Sequence, residues 1–127
     1  MATSSITPGT PYIQLMTDQA ALELPVSSST IQRLIDFDAA FYGVSPALMR
    51  GIIARESAFD QYAEYRHLPR EDSVGLVQIN LVAHPLITRA DALSPVFAIN
   101  YLAENLAAGN GAMWSTYKAA LLAVNAP

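Results

Sequence analysis

The chain has 127 residues, of which 52% are hydrophobic and 14% charged, and its formal charge is −4. This is the size of one domain with ample material for a core, which excludes wholesale disorder, and the acidic balance excludes an electrostatic footprint for nucleic acid or an anionic membrane. There is no cysteine, hence neither a disulfide framework nor a thiolate metal site, and no apolar run in the sequence approaches the length of a bilayer span.

Residues 1–29 are rich in Ser, Thr and Pro, with Pro8, Pro11 and Pro25 as breakers. They are expected to form a loosely ordered N-terminal arm, with a short helix over residues 17–24, ahead of a domain spanning 30–127. Residues 1–8 carry neither the basic nor the apolar stretch of a secretion signal, so either export is arranged otherwise or the chain has been trimmed.

The first strong helix is expected to start after Ser29 or Thr30. Ile31, Leu34, Ile35, Asp38, Phe41 and Tyr42 trace one face, and Gly43 suits the end. A second helix follows, with Ser45 as N-cap and Pro46 at its first position. Leu48, Met49, Ile52 and Ile53 mark its apolar face, and Glu56 falls on that same face. Residues 57–72 show no clear period and read as a long loop. Residues 75–81 are a compact apolar run, either a short strand or a helical turn, which places any β element near 74–80. A short helix is expected from Thr88 through Leu93. Ser94-Pro95 repeats the cap-then-proline signal before a stripe of Val96, Ile99, Leu102, Ala103 and Leu106. Asn110-Gly111 reads as a turn, and a last helix is expected over residues 113–124. The fold class is mainly α.

Glu56 is the residue of greatest chemical interest. A carboxylate on the buried side of a helix is costly unless it is paired or protonated. Burial raises its pKa, and a carboxyl group held protonated near neutral pH can serve as a general acid.

Arg55-Glu56-Ser57-Ala58-Phe59 places an aromatic residue two positions after Glu-Ser, and Gly75-Leu76-Val77-Gln78-Ile79 follows in order. At these two segments the chain resembles the soluble lytic transglycosylase and goose-type lysozyme superfamily. The first matches the family's Glu-Ser motif, and the second matches Gly-Leu-Met-Gln-Ile with one conservative change. The later stretches Ala83-His84-Pro85, Asp91-Ala92-Leu93-Ser94-Pro95, Ala98-Ile99-Asn100-Tyr101-Leu102 and Trp114-Ser115-Thr116-Tyr117 look like a phage-type or wall-muramidase branch. The resemblance covers roughly residues 38–117.

The resemblance implies a small lysozyme-like helical domain that cleaves the β-1,4 bond between N-acetylmuramic acid and N-acetylglucosamine in peptidoglycan. It implies Glu56 as the catalytic acid and then base, with no cofactor. Two positions depart from the family pattern. Tyr65 stands nine residues after Glu56 where many members carry Ser, and Ala123-Val124-Asn125 stands for the family's Ala-Tyr-Asn. Tyr101 and Tyr117 are the candidates for the missing hydroxyl.

Substrate contacts are expected from Gln78, Ser73, Tyr65, Tyr62, Tyr101 and Tyr117. Gln78 is equally readable as a buried amide serving backbone groups. Trp114 and Tyr117 either stack on sugar rings or pack the last helix on the core. Asp72 reads as a loop-capping residue, with water positioning as the alternative, and Glu64 and Glu71 read as solvated loop charges. His67 and His84 lack the companion spacing of a metal site, so no metal is expected.

Without a convincing second carboxylate, transglycosylation is favoured over hydrolysis. The alternatives are a hydrolytic muramidase and a non-catalytic glycan-binding or structural module of the same fold. The expected partner is the peptidoglycan glycan strand, with no nucleic acid and no membrane insertion. The chain is expected to act as a monomer at the cell wall, whether periplasmic, extracellular or virion-associated.

Overall fold

The computed structural model describes residues 25–126, so the short helix expected over residues 17–24 lies outside the described residues. Helix α1 (Ser28–Tyr42) starts earlier than its apolar pattern suggests. Ser27 is the N-cap, its hydroxyl accepting from the Thr30 amide at 3.2 Å. Gly43 closes the helix at φ 70°, a left-handed conformation that glycine adopts without strain. Ile31, Leu34, Ile35, Asp38 and Ala39 are buried. Phe41, expected on this face, is 60% exposed. It sits at the edge of the stripe in the last turn and meets Tyr42 edge-on at 5.2 Å.

Helix α2 (Pro46–Ser57) is capped as expected, with the Ser45 hydroxyl accepting from the Leu48 amide at 3.1 Å. The loop expected over 57–72 is instead largely a hairpin. Strands β1 (Glu64–His67), β2 (Glu71–Val74) and β3 (Ile79–Asn80) form an antiparallel sheet in the order β1-β2-β3. Tyr65 lies opposite Ser73, His67 opposite Glu71, and Ser73 opposite Asn80. All of β1 is exposed, so it carries no apolar alternation for a sequence pattern to reveal.

Helix α3 (Arg89–Leu93) begins with a capping box between Thr88 and Asp91. Helix α4 (Pro95–Ala107) begins with the Ser94 hydroxyl accepting from the Phe97 amide at 3.3 Å. The last helix is shorter than expected. Residues Gly111–Met113 form a 3-10 turn, Trp114 is extended, and α5 spans Tyr117–Val124. The described residues therefore form a mainly helical domain with one small antiparallel sheet.

Helix α1 packs on α4 and α2, and α2 packs on α5. Val74, Leu76, Val77 and Ile79 are all nearly or fully buried and join the same apolar cluster as the helices. The turn between β2 and β3 is thus part of the core.

Asp38 is an exception in this core. It is 1% exposed, and neither carboxyl oxygen has a hydrogen-bond partner among the described residues. Burial pushes its pKa from 3.8 up to about 7. Between those values the folded chain holds a proton that the unfolded chain has released, so stability falls as pH rises through that window. Asp38→Asn removes the titration and keeps the shape. The variant is expected to be more stable than the parent above about pH 7, by at most ~4 kcal/mol. The gain should shrink towards pH 4. Urea unfolding at several pH values checks this, and a variant less stable than the parent at alkaline pH contradicts it.

Candidate active site

The last turn of α2 delivers Glu56 and Ser57 on consecutive positions. Ser57 is buried, and its hydroxyl lies 3.1 Å from the Ile53 carbonyl and 2.8 Å from the Leu76 carbonyl. It ties the end of α2 to the turn of the second motif. With both carbonyls buried, Ser57→Ala is expected to cost about 1–3 kcal/mol. Chemical denaturation measures that loss, and an unchanged midpoint contradicts the tie.

Backbone strain gathers at the same place. Ala58, Phe59 and Gln78 are the non-glycine residues with positive φ among the described residues, at 53°, 62° and 53°. Such conformations are sparsely populated for residues with a Cβ and tend to cluster at functional sites. Gly75, at φ 87°, brings its backbone against α3, where an added Cβ would lie 2.0 Å from the Ala92 carbonyl oxygen. Its own amide donates to Ala63 O at 2.8 Å.

Gln78 uses its amide nitrogen to hold this turn. Nε2 donates to Ala63 O at 3.0 Å and to Gly75 O at 2.9 Å. Both amide hydrogens are thereby engaged, and among the described residues no bond is made by Oε1, an acceptor suited to a ligand. The structural and substrate-facing readings of Gln78 are compatible.

Glu56 opens into a cleft of about 230 Å³ lined also by Glu71, Ser73, Gln78, Asn80, Met113, Trp114 and Ser115. Glu56 Oε2 accepts from Thr116 Oγ1 at 2.5 Å. The Glu56 pKa is raised, mainly by burial, with the Thr116 hydrogen bond acting in the opposite sense and the Glu71 charge adding to the rise.

Glu71 corrects the sequence reading. It is not a solvated loop charge but a half-buried strand residue, accepting from Ser73 Oγ at 2.6 Å. Neighbouring strand residues point to opposite faces, so Glu71 and Ser73 face the cleft while Asp72 faces away. Asp72 is bound by Arg89, whose other nitrogen meets Glu64 at 2.9 Å. Neither Asp72 nor Glu64 is in the cleft lining.

The tyrosines are spread out. Tyr101 lines an adjoining arm of about 390 Å³, together with His84, Ile79 and Ala83, and this arm shares Gln78, Asn80, Met113 and Trp114 with the Glu56 cleft. Its hydroxyl is 3.5 Å from His84 Nε2, and burial raises its pKa. Tyr117 does not reach the cleft lining; its ring lies over Gly111, where an added Cβ would be 2.5 Å away. Tyr65 shares the Ser73 face of the sheet but stacks on His67 at 4.5 Å. Tyr62 is 44% exposed and lines neither arm.

Trp114 is largely buried, donates Nε1 to Val77 O at 2.7 Å, and meets Tyr101 edge-on at 6.0 Å. It is a wall that fixes the turn rather than an open stacking surface. The hydroxyl on Glu56 comes from neither Tyr101 nor Tyr117 but from Thr116, which sequence reasoning missed. Its partner is 60 positions away, and no local spacing marks such a contact.

The arrangement offers one carboxyl group with raised pKa, a second carboxylate in the same small polar cleft, and a less polar extension. Comparison with protein-family models, with curated proteins and with solved structures gives no match for this chain.

Proposed function

We propose that this chain is a peptidoglycan-cleaving glycosidase with a lysozyme-like helical domain, acting on the bond between N-acetylmuramic acid and N-acetylglucosamine. The observation that carries this reading is the Glu56 carboxyl group, half-buried in a cleft with its pKa raised by desolvation. The two motif segments that carry the family resemblance also meet in space through the Ser57–Leu76 hydrogen bond.

The chemistry follows from the proton. As the glycosidic bond breaks, the leaving oxygen needs a proton, and a protonated Glu56 supplies it. The resulting carboxylate then takes a proton from the nucleophile. With the muramic acid 6-hydroxyl as nucleophile, a 1,6-anhydro ring closes. With water, the bond is hydrolysed.

A specific observation favours the second outcome. Glu71 gives the cleft a second carboxylate, held by Ser73, which is the group type that activates water in hydrolytic glycosidases. Incubation with purified sacculi and mass spectrometry of the glycan ends tests both readings. Reducing ends mean hydrolysis, and Glu71→Gln should then suppress them by about 10²-fold or more. Anhydromuramic ends unaffected by that substitution mean transglycosylation. No glycan cleavage in any wall type tested favours a binding module.

A further inference from the structure

Thr116 occupies the N-cap position of α5 yet makes no side-chain capping bond there. Threonine at an N-cap normally accepts from a backbone amide one turn on, worth about 1 kcal/mol. Here its hydroxyl is turned to Glu56 Oε2 instead, at 2.5 Å. A structural role in the helix therefore does not account for the orientation of this side chain.

We propose that Thr116 is a positioning residue for Glu56: its hydroxyl orients the carboxyl group and occupies Oε2, so that Oε1 carries the transferable proton. This rests on the reading of Glu56 as the proton donor. A carboxylic acid has two oxygens, and only one of them holds the proton. An oxygen already accepting a short hydrogen bond is the poorer site for it, so the donor fixes which oxygen is protonated. The short geometry fits an O–H donor on a carboxylate, the stronger class of hydrogen bond. The same bond favours the ionised form and opposes the rise caused by burial.

The hydroxyl bonded to Glu56 is that of Thr116, while Ser73, in the same cleft lining, donates to Glu71. In the same cleft the charged group is Glu71, which acts in the opposite sense to Thr116. Beside it on α2, Arg55 turns its guanidinium back to the Gly51 carbonyl at 3.1 Å. On α5, Lys118 is exposed and Tyr117 lies over Gly111. On α1, Asp36 pairs with Arg50 at 2.9 Å, and Asp38 is enclosed in the core.

The test uses the full chain with ¹³C-labelled glutamate carboxyl groups. Titration of Glu56 is followed by NMR in the parent, Thr116→Val and Thr116→Ser, with pH–rate profiles on sacculi alongside. Loss of the hydroxyl should move the Glu56 midpoint upward, shift the alkaline limb of the profile with it, and lower the rate about tenfold. Thr116→Ser should restore both. If Thr116→Val does not fold, Thr116→Ala removes the same hydroxyl without the added methyl groups. A Glu56 midpoint unmoved by loss of the hydroxyl overturns the inference, as does a Ser variant that behaves like Val. A parent that cleaves no glycan overturns the proposed function, while the NMR arm still decides whether Thr116 controls Glu56.

Discussion

Glu56→Gln should remove glycan cleavage while leaving the fold intact. Gln is nearly isosteric and still accepts a hydrogen bond from Thr116, but it has no proton to give. Loss of a positioned general acid costs about 10²–10⁴ in rate. Glu56 lies on a half-buried face rather than in the sealed core, so urea unfolding should be nearly unchanged, or slightly strengthened once a desolvated acid is gone. The parent should also show a matching pH dependence. Cleavage needs the protonated form, so activity should fall as pH rises through the Glu56 pKa, and that limb should lie above the ordinary glutamate value of 4.5. A variant as active as the parent, or a parent whose alkaline limb sits at or below that value, contradicts the assignment.

Gly75→Ala should produce the largest loss of stability among the changes considered. Two effects combine. The backbone is at φ 87°, where a Cβ costs roughly 1–2 kcal/mol. The added methyl would also lie 2.0 Å from the Ala92 carbonyl oxygen, which is backbone and cannot rotate aside. Forced overpacking typically adds about 1–3 kcal/mol, for a total of about 2–5 kcal/mol. The damage should reach the site as well. Gly75 O receives both the Gln78 amide, at 3.1 Å, and Gln78 Nε2. Displacing the turn from Ala92 therefore shifts Gln78 within the cleft lining. Urea denaturation should show the loss, and an equally stable variant would show that α3 can withdraw from the turn.

The helical frame was legible because its signals are local. Ser45-Pro46, Thr88 and Ser94-Pro95 carry their capping chemistry within four residues, and Gly43 marks an ending by its own backbone freedom. The hairpin was not legible, because β1 is exposed along its length and is held by pairing to β2 rather than by an apolar face. That omission hid Glu71. In a loop, Glu71 reads as a solvated charge and Asp72 as a capping residue. In a strand, Glu71 and Asp72 take opposite faces, one lining the cleft and one bound to Arg89.

The end of the chain is illegible in the sequence for a related reason. The sequence places Trp114 in the last helix, but its backbone is extended between the 3-10 turn and α5, and its indole donates to Val77 O. Thr116 then enters the site from the start of α5. Glu56 was legible from its place on an apolar face, whereas the groups that tune it come from distant strands and turns.

The most direct test of the central claim is the release of soluble muropeptides from purified sacculi by the parent and by Glu56→Gln, separated by chromatography and identified by mass. The account predicts fragments cut between N-acetylmuramic acid and N-acetylglucosamine from the parent and essentially none from the folded variant. Equal release by both proteins, or none by the parent from any wall type, would contradict it.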